Sequence, residues 1–221
     1  MKKYVNLFVF VFMVGTCFSQ GKAQTKSAVS YKNPVVDIAM PDPTVIKAAD
    51  GYFYVYATES TRNVPIMKSK DLVEWTYCNT AFTNKTRPRF EPKAGIWAPD
   101  INYINGKYVL YYAMSVWGGE QTCGIGVATA DSPQGPFTDH GKMFRSNEIG
   151  VQNSIDPSLL QYEGRNYLVW GSFRGIYVIE LTEDGLSLKP GAEKKRIAGT
   201  AFEAAYIHKQ LIRVHVCTKL L

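Results

Sequence analysis

The chain has 221 residues, 46% hydrophobic and 20% charged, with a formal net charge of +6. That is an ordinary globular composition, long enough for one sizeable core. The basic residues are scattered except for Lys194-Lys195-Arg196, which reads as a solvated loop rather than a phosphate track, so no nucleic-acid signature is present.

Lys2 and Lys3 precede an apolar stretch from Val5 to about Gly15, followed by small and polar residues. This is the layout of a secretory signal peptide over residues 1–23, cleaved after Ser19 or Ala23. A lipid attached at Cys17 is the alternative. The apolar stretch is short for a membrane span and no other segment qualifies, so the mature chain is expected to be exported, periplasmic, extracellular or surface-tethered. Cys78, Cys123 and Cys217 form an odd set without metal-type spacing; a Cys78–Cys123 disulfide is allowed, and buried free thiols are the favoured reading.

From residue 40 a repeated pattern begins. Asp42-Pro43-Thr44-Val45-Ile46 leads through Asp50-Gly51 into Tyr52-Phe53-Tyr54-Val55-Tyr56. Ala98-Pro99-Asp100-Ile101-Asn102-Tyr103 leads through Asn105-Gly106 into Lys107-Tyr108-Val109-Leu110-Tyr111-Tyr112. Asp156-Pro157-Ser158-Leu159-Leu160 leads through Glu163-Gly164 into Arg165-Asn166-Tyr167-Leu168-Val169-Trp170, and Glu203-Ala204-Ala205-Tyr206-Ile207-His208-Lys209 starts a fourth unit that stops matching.

Each unit has an acid, a short apolar strand, a Gly-containing turn and an aromatic strand. Asp-Gly and Asn-Gly are two-residue hairpin signals. Third strands are legible at Pro65–Ser69, Gly124–Thr129 and Gly175–Leu181, and fourth strands at Glu74-Trp75-Thr76 and Gly135-Pro136-Phe137-Thr138. No long stretch has helical periodicity. Several strands per repeat, with 58, 56 and 47 residues between the acids, predict propeller blades.

A propeller sets the first strand of every blade around one axis. Asp42, Asp100, Asp156 and Glu203, taken as equivalent repeat positions, are then expected to ring one pocket. Any one acid beside a proline could serve a turn instead. Four in register are harder to explain that way, because folding alone gives no reason to crowd like charges.

Pro41-Asp42-Pro43, Trp97-Ala98-Pro99-Asp100, Ile155-Asp156-Pro157 and Phe202-Glu203-Ala204-Ala205-Tyr206-Ile207 together resemble glycoside hydrolase family 43, the five-bladed propeller arabinanases, arabinofuranosidases and xylosidases. Ser69–Trp75 and Ala130–Phe137 support the resemblance, and Val169–Ile176 is most similar to the endo-arabinanase branch. It covers residues 35–209. It implies an all-β fold of the five-bladed β-propeller family, an inverting O-glycosyl hydrolase acting on arabinan or xylan, and an oligo- or polysaccharide as partner.

Carried over by the motifs, Asp42 is the general base, Glu203 the general acid, and Asp156 the third acid that orients Glu203 and raises its pKa. Asp100 matches no catalytic acid and reads as a pocket-lining or strand-end residue. Trp97, Trp117 and Phe173 are candidate substrate contacts. Trp75 and Trp170 read as core. His140, His208 and His215 lack ligand spacing, so neither metal nor cofactor is expected. Some family members hold an axial metal through a histidine of a later blade, for which these residues offer no counterpart.

After Lys209 the repeat demands a Gly turn and an aromatic strand, and residues 210–221 offer neither. The expectation is an incomplete propeller of about three blades plus the first strand of a fourth, from truncation or frameshift, with Glu203 on a strand lacking its hairpin partner. Such a chain leaves sheet edges open. Two other readings stay open: a carbohydrate-binding propeller without catalysis, and an inactive fragment of a longer hydrolase.

Overall fold

The computed structural model describes residues 30–59, 63–209 and 214–220. The signal-peptide reading of residues 1–23, with Cys17, lies outside the described residues, as do residues 210–213 of the tail. The sheets all belong to the compact unit Lys32–Leu221.

Three antiparallel four-stranded sheets follow one another along the chain. The first holds β1 (Thr44–Lys47), β2 (Phe53–Tyr56), β3 (Pro65–Ser69) and β4 (Thr76–Thr80). The second holds β5 (Gly95–Ile104), β6 (Lys107–Ser115), β7 (Gly124–Ala130) and β8 (Thr138–Arg145), and a single turn of helix, α1 (Ser146–Ile149), follows it. The third holds β9 (Ser158–Tyr162), β10 (Arg165–Trp170), β11 (Ile176–Glu180) and β12 (Lys195–Ala198). Strand order within each is sequential, as in propeller blades.

β13 (Phe202–Lys209) pairs with β14 (Val214–Leu220). The fourth unit therefore has two strands, and the hairpin partner expected to be missing beside Glu203 is present. Val214 and Val216 supply β-branched strand residues where the aromatic pattern fails.

Turn chemistry sets the hairpins. Asn105 (φ 48°) and Gly106 (φ 85°) both occupy the left-handed region, giving the two-residue connection between β5 and β6. Asp50-Gly51 behaves differently. Gly51 N–H bonds Ala48 O and Ala48 N–H bonds Tyr52 O, a three-residue loop with Gly51 as its left-handed residue. The fourth strands start at the last residue of each expected stretch, Thr76 and Thr138. Before Thr76, Asp71 Oδ1 accepts the Val73 and Glu74 N–H groups and the Trp75 indole donates to Leu72 O. Trp75 is thereby held in a turn, half-buried rather than core. Lys194-Lys195-Arg196 also differs from its reading as a loop, because Lys195 opens the exposed outer strand β12.

The core lies between sheets. In β6, Tyr108, Leu110, Tyr112 and Met114 pack with Tyr54, Tyr56 and Ile66 of the first sheet. The alternate residues Val109 and Tyr111 pack with Leu168 and Trp170 of the third. A strand covered on both faces needs a continuous apolar run, which explains why β6 does not alternate. Trp170 is fully buried between Phe144 and Tyr177, and its indole donates to Ser154 Oγ at 3.1 Å. Trp170→Ala is expected to cost about 3–5 kcal/mol, because a large cavity remains and the Ser154 hydroxyl loses the indole donor while keeping its bond to Val151 O. A denaturant titration showing the midpoint lowered at unchanged slope checks this. Cys123 is buried and Cys78 half-buried, both as free thiols.

Candidate active site

Each unit's first strand carries the same irregularity. Thr44 pairs with Tyr56, yet Pro41 O accepts the Thr58 N–H, so three residues oppose two. The same step recurs between Trp97 and Asp100, between Ile155 and Ser158, and between Glu203 and Tyr206. This is a β-bulge, which adds one residue and re-aims the side chains around it.

Its second residue is left-handed in all four units: Asp42 (φ 50°), Ala98 (φ 41°), Asp156 (φ 58°) and Ala204 (φ 50°). A non-glycine residue held there costs roughly 1 kcal/mol, and such strain gathers at functional sites.

The bulge corrects the expected register of the acids. Asp42 and Asp156 are equivalent. Their counterparts in the other units are Ala98 and Ala204, so Glu203 stands one position earlier and Asp100 two positions later. The prolines, Pro43, Pro99 and Pro157, are the residues in register, and aligning the sequence on them would have found this.

One cavity of about 540 Å³ is lined by Asp42, Asp156 and Glu203, with Trp97, Trp117 and Phe173 among its walls. Asp100 does not reach it. It lines a neighbouring cavity of about 600 Å³ on the other side of Asp42 and Asp156. There its carboxylate accepts from Asn102 Nδ2 and the Leu159 N–H, each at 2.7 Å, and from Thr44 Oγ1 at 3.5 Å. Asp100 thus ties β1, β5 and β9 together. Burial pushes its carboxyl up to about 6, against the pull of these donors.

Asp42 Oδ2 accepts from Thr58 Oγ1 at 2.6 Å. Asp156 Oδ2 accepts the Ala204 N–H at 3.1 Å, which ties it to the residue beside Glu203. Glu203 Oε2 lies 3.4 Å from the donating Ser172 hydroxyl. Burial pushes the Asp156 carboxyl up to about 7; the Ala204 N–H opposes this, and the charges of Asp42 and Glu203 add to it. These surroundings hold a proton on Asp156 to higher pH than a free aspartate would keep it.

Trp97 and Trp117 stand with ring centroids 5.7 Å apart, tilted by 54°. Trp117 is 95% exposed at the mouth, an uncommon position for a free indole and one suited to a stacking surface. Its loop is latched from the third sheet, where Arg174 Nη2 meets Glu120 Oε2 at 2.9 Å and Gln152 donates to the same carboxylate. Thr58, Glu120, Asn153 and Ser172 also line the cavity. Ser172 falls in the Val169–Ile176 stretch, whereas nothing in the sequence context of Thr58, Glu120 and Asn153 marks them, because each arrives from a different loop.

Among the described residues no group of three or more His, Cys, Asp and Glu is arranged to hold a metal ion. Among the described residues no helix is long and apolar enough to cross a membrane.

Fold and site together define a β-propeller whose bulged first strands bring three carboxylates from separate sheets to one aromatic-walled cavity. The chain belongs to the glycosyl hydrolases family 43, whose family model matches residues 31–211. It is 37% identical over 177 residues to the extracellular endo-alpha-(1->5)-L-arabinanase 1 of Bacillus subtilis, covering 74% of this chain and 54% of that protein. It is 32% identical over 137 residues to an arabinan endo-1,5-alpha-L-arabinosidase A of Aspergillus niger, covering 60% and 41%. The native Bacillus subtilis arabinanase superposes with TM-score 0.71 at 30% identity, over 83% of this chain and 67% of that one. The Cellvibrio cellulosa alpha-L-arabinanase complexed with arabinohexaose also gives 0.71, at 25% identity, over 81% and 64%. The chain spans about half the length of the curated relatives it matches.

Proposed function

We propose that the chain carries the catalytic acids of an inverting endo-1,5-alpha-L-arabinanase. The observation that carries the reading is the convergence of Asp42, Asp156 and Glu203 on one cavity walled by Trp97 and Trp117. Cleaving a glycosidic bond with inversion needs a carboxylate that activates water on one face and a carboxylic acid at the leaving oxygen on the other. Asp42 takes the first role and Glu203 the second. Asp156 holds the Ala204 N–H beside Glu203, and so fixes the backbone that aims the acid.

Burial and the charges of Asp42 and Glu203 raise the Asp156 carboxyl to about 7, so the cavity carries a proton near neutral pH. That proton is what the leaving oxygen requires. The indoles of Trp97 and Trp117 offer apolar faces to the C–H surface of a sugar, and Phe173 also lines the cavity. The arabinan names of the relatives favour arabinan over xylan, and an exported location follows the printed extracellular location of the Bacillus subtilis relative.

Linear arabinan and xylan incubated separately with the purified chain test the reading. Arabinan is expected to lose viscosity faster than reducing ends accumulate, with xylan untouched. The anomer released first, read by proton NMR, is expected to have the inverted configuration. Binding of arabinan without any shortening would favour a carbohydrate-binding propeller instead.

A further inference from the structure

The carboxylate proposed as base is oriented by a neighbour that no motif marks. Thr58 follows β2 by two residues and is half-buried at the cavity wall. Its hydroxyl oxygen accepts the Ala98 N–H at 2.7 Å. That backbone donor is fixed, so the hydroxyl's own hydrogen must point elsewhere, and Asp42 Oδ2 receives it at 2.6 Å. The Thr58 N–H also bonds Pro41 O at 2.9 Å. Three hydrogen bonds therefore fasten Thr58 to the bulge of its own unit and to that of the next.

The repeat supplies an internal control. Gly171 stands where Thr58 stands, since its N–H bonds Ile155 O as Thr58 N–H bonds Pro41 O. There the next unit's bulge N–H, that of Ala204, reaches Asp156 directly. A side chain at Gly171 is excluded, because its Cβ would fall 2.2 Å from Gly175 O at φ +122°. In the first unit Thr58 interposes a hydroxyl between Ala98 N–H and the acid. Equivalent acids on the same bulge thus receive different donors, and only Asp42 has one that can be removed by substituting a side chain.

We infer that Thr58 is a positioning residue for Asp42: its hydroxyl occupies Oδ2, fixes the plane of the carboxylate, and leaves Oδ1 to take the proton of an attacking water. The inference rests on the reading of Asp42 as general base. A donor to a carboxylate interacts most strongly with its ionised form, so removing the hydroxyl changes how the carboxyl responds in solution.

Thr58→Val keeps the shape and removes the hydroxyl; Thr58→Ser restores it. Two readouts separate this inference from the functional reading. The NMR titration curve of the Asp42 carboxyl carbon reports the hydrogen bond whether or not the chain turns over. In Thr58→Val it is expected to move away from the wild-type curve, and to return in Thr58→Ser. On arabinan, Thr58→Val is expected to lower kcat about tenfold with KM within twofold, and Thr58→Ser to recover most of the loss. An unmoved Asp42 curve in Thr58→Val, with the amide spectrum showing a folded chain, overturns the inference. A moved curve in a chain that does not cleave arabinan upholds the positioning of Asp42 and rejects the hydrolase reading.

Discussion

Asp42→Ala is expected to lower kcat on arabinan by about two to four orders of magnitude, the usual contribution of a general base. The carboxylate acts on water in the transition state rather than on bound sugar, so KM stays within a few-fold. Asp42 is exposed and makes its hydrogen bond to Thr58 at the cavity wall, so thermal unfolding is expected to shift little. A second substrate separates the two proposed roles. An aryl arabinoside whose leaving phenol needs no proton spares Glu203→Ala, whereas Asp42→Ala fails on it as it fails on the polymer. Wild-type rates for Asp42→Ala on both substrates would remove the base from the mechanism.

Asp156→Asn is expected to separate stability from activity in opposite directions. The native surroundings lift this carboxyl from 3.8 to about 7. Between those two values the folded chain holds a proton that the unfolded chain has released. Stability therefore falls as pH rises through that window, with slope up to about 1.4 kcal/mol per pH unit, and levels off above it. Asparagine carries no charge at any pH, so the variant lacks this decline. Its melting temperature is expected to match wild type near pH 4 and to exceed it by several degrees at pH 8, on the order of 1–3 kcal/mol.

The same change also removes the carboxyl that interacts electrostatically with Glu203 and weakens the acceptor for the Ala204 N–H. Activity at neutral pH is then expected to fall about a hundredfold or more. Melting curves at pH 4, 6 and 8 check the sign. A variant less stable than wild type at pH 8 would show that the Ala204 contact outweighs the strain of burying the charge.

Much of the architecture is legible in local chemistry. Asn105-Gly106 and Glu163-Gly164 fix two-residue hairpins because glycine and its neighbour enter the left-handed region readily. The aromatic strands Tyr52–Tyr56, Lys107–Tyr112 and Arg165–Trp170 follow them, and each becomes the second strand of a sheet. Asp42, Asp156 and Glu203 stand out in the sequence, as do Trp97 and Trp117, because acids before short apolar strands and isolated indoles have few other uses.

The placement of those acids relative to one another is not local. A β-bulge adds one residue and shifts which side chain meets the cavity, so Glu203 and Asp100 leave the register that spacing alone suggested. The third acid's raised pKa, the stitching of β1, β5 and β9 by Asp100, and the Thr58 hydroxyl on Asp42 all join residues at least 16 positions apart. Sequence by itself determined the strands, the turns and the cast of carboxylates, since propensity and hydrogen bonding act over a few residues. Tertiary structure alone decided which carboxylates share a cavity and which one keeps its proton, because burial and Coulomb repulsion depend on distance through space.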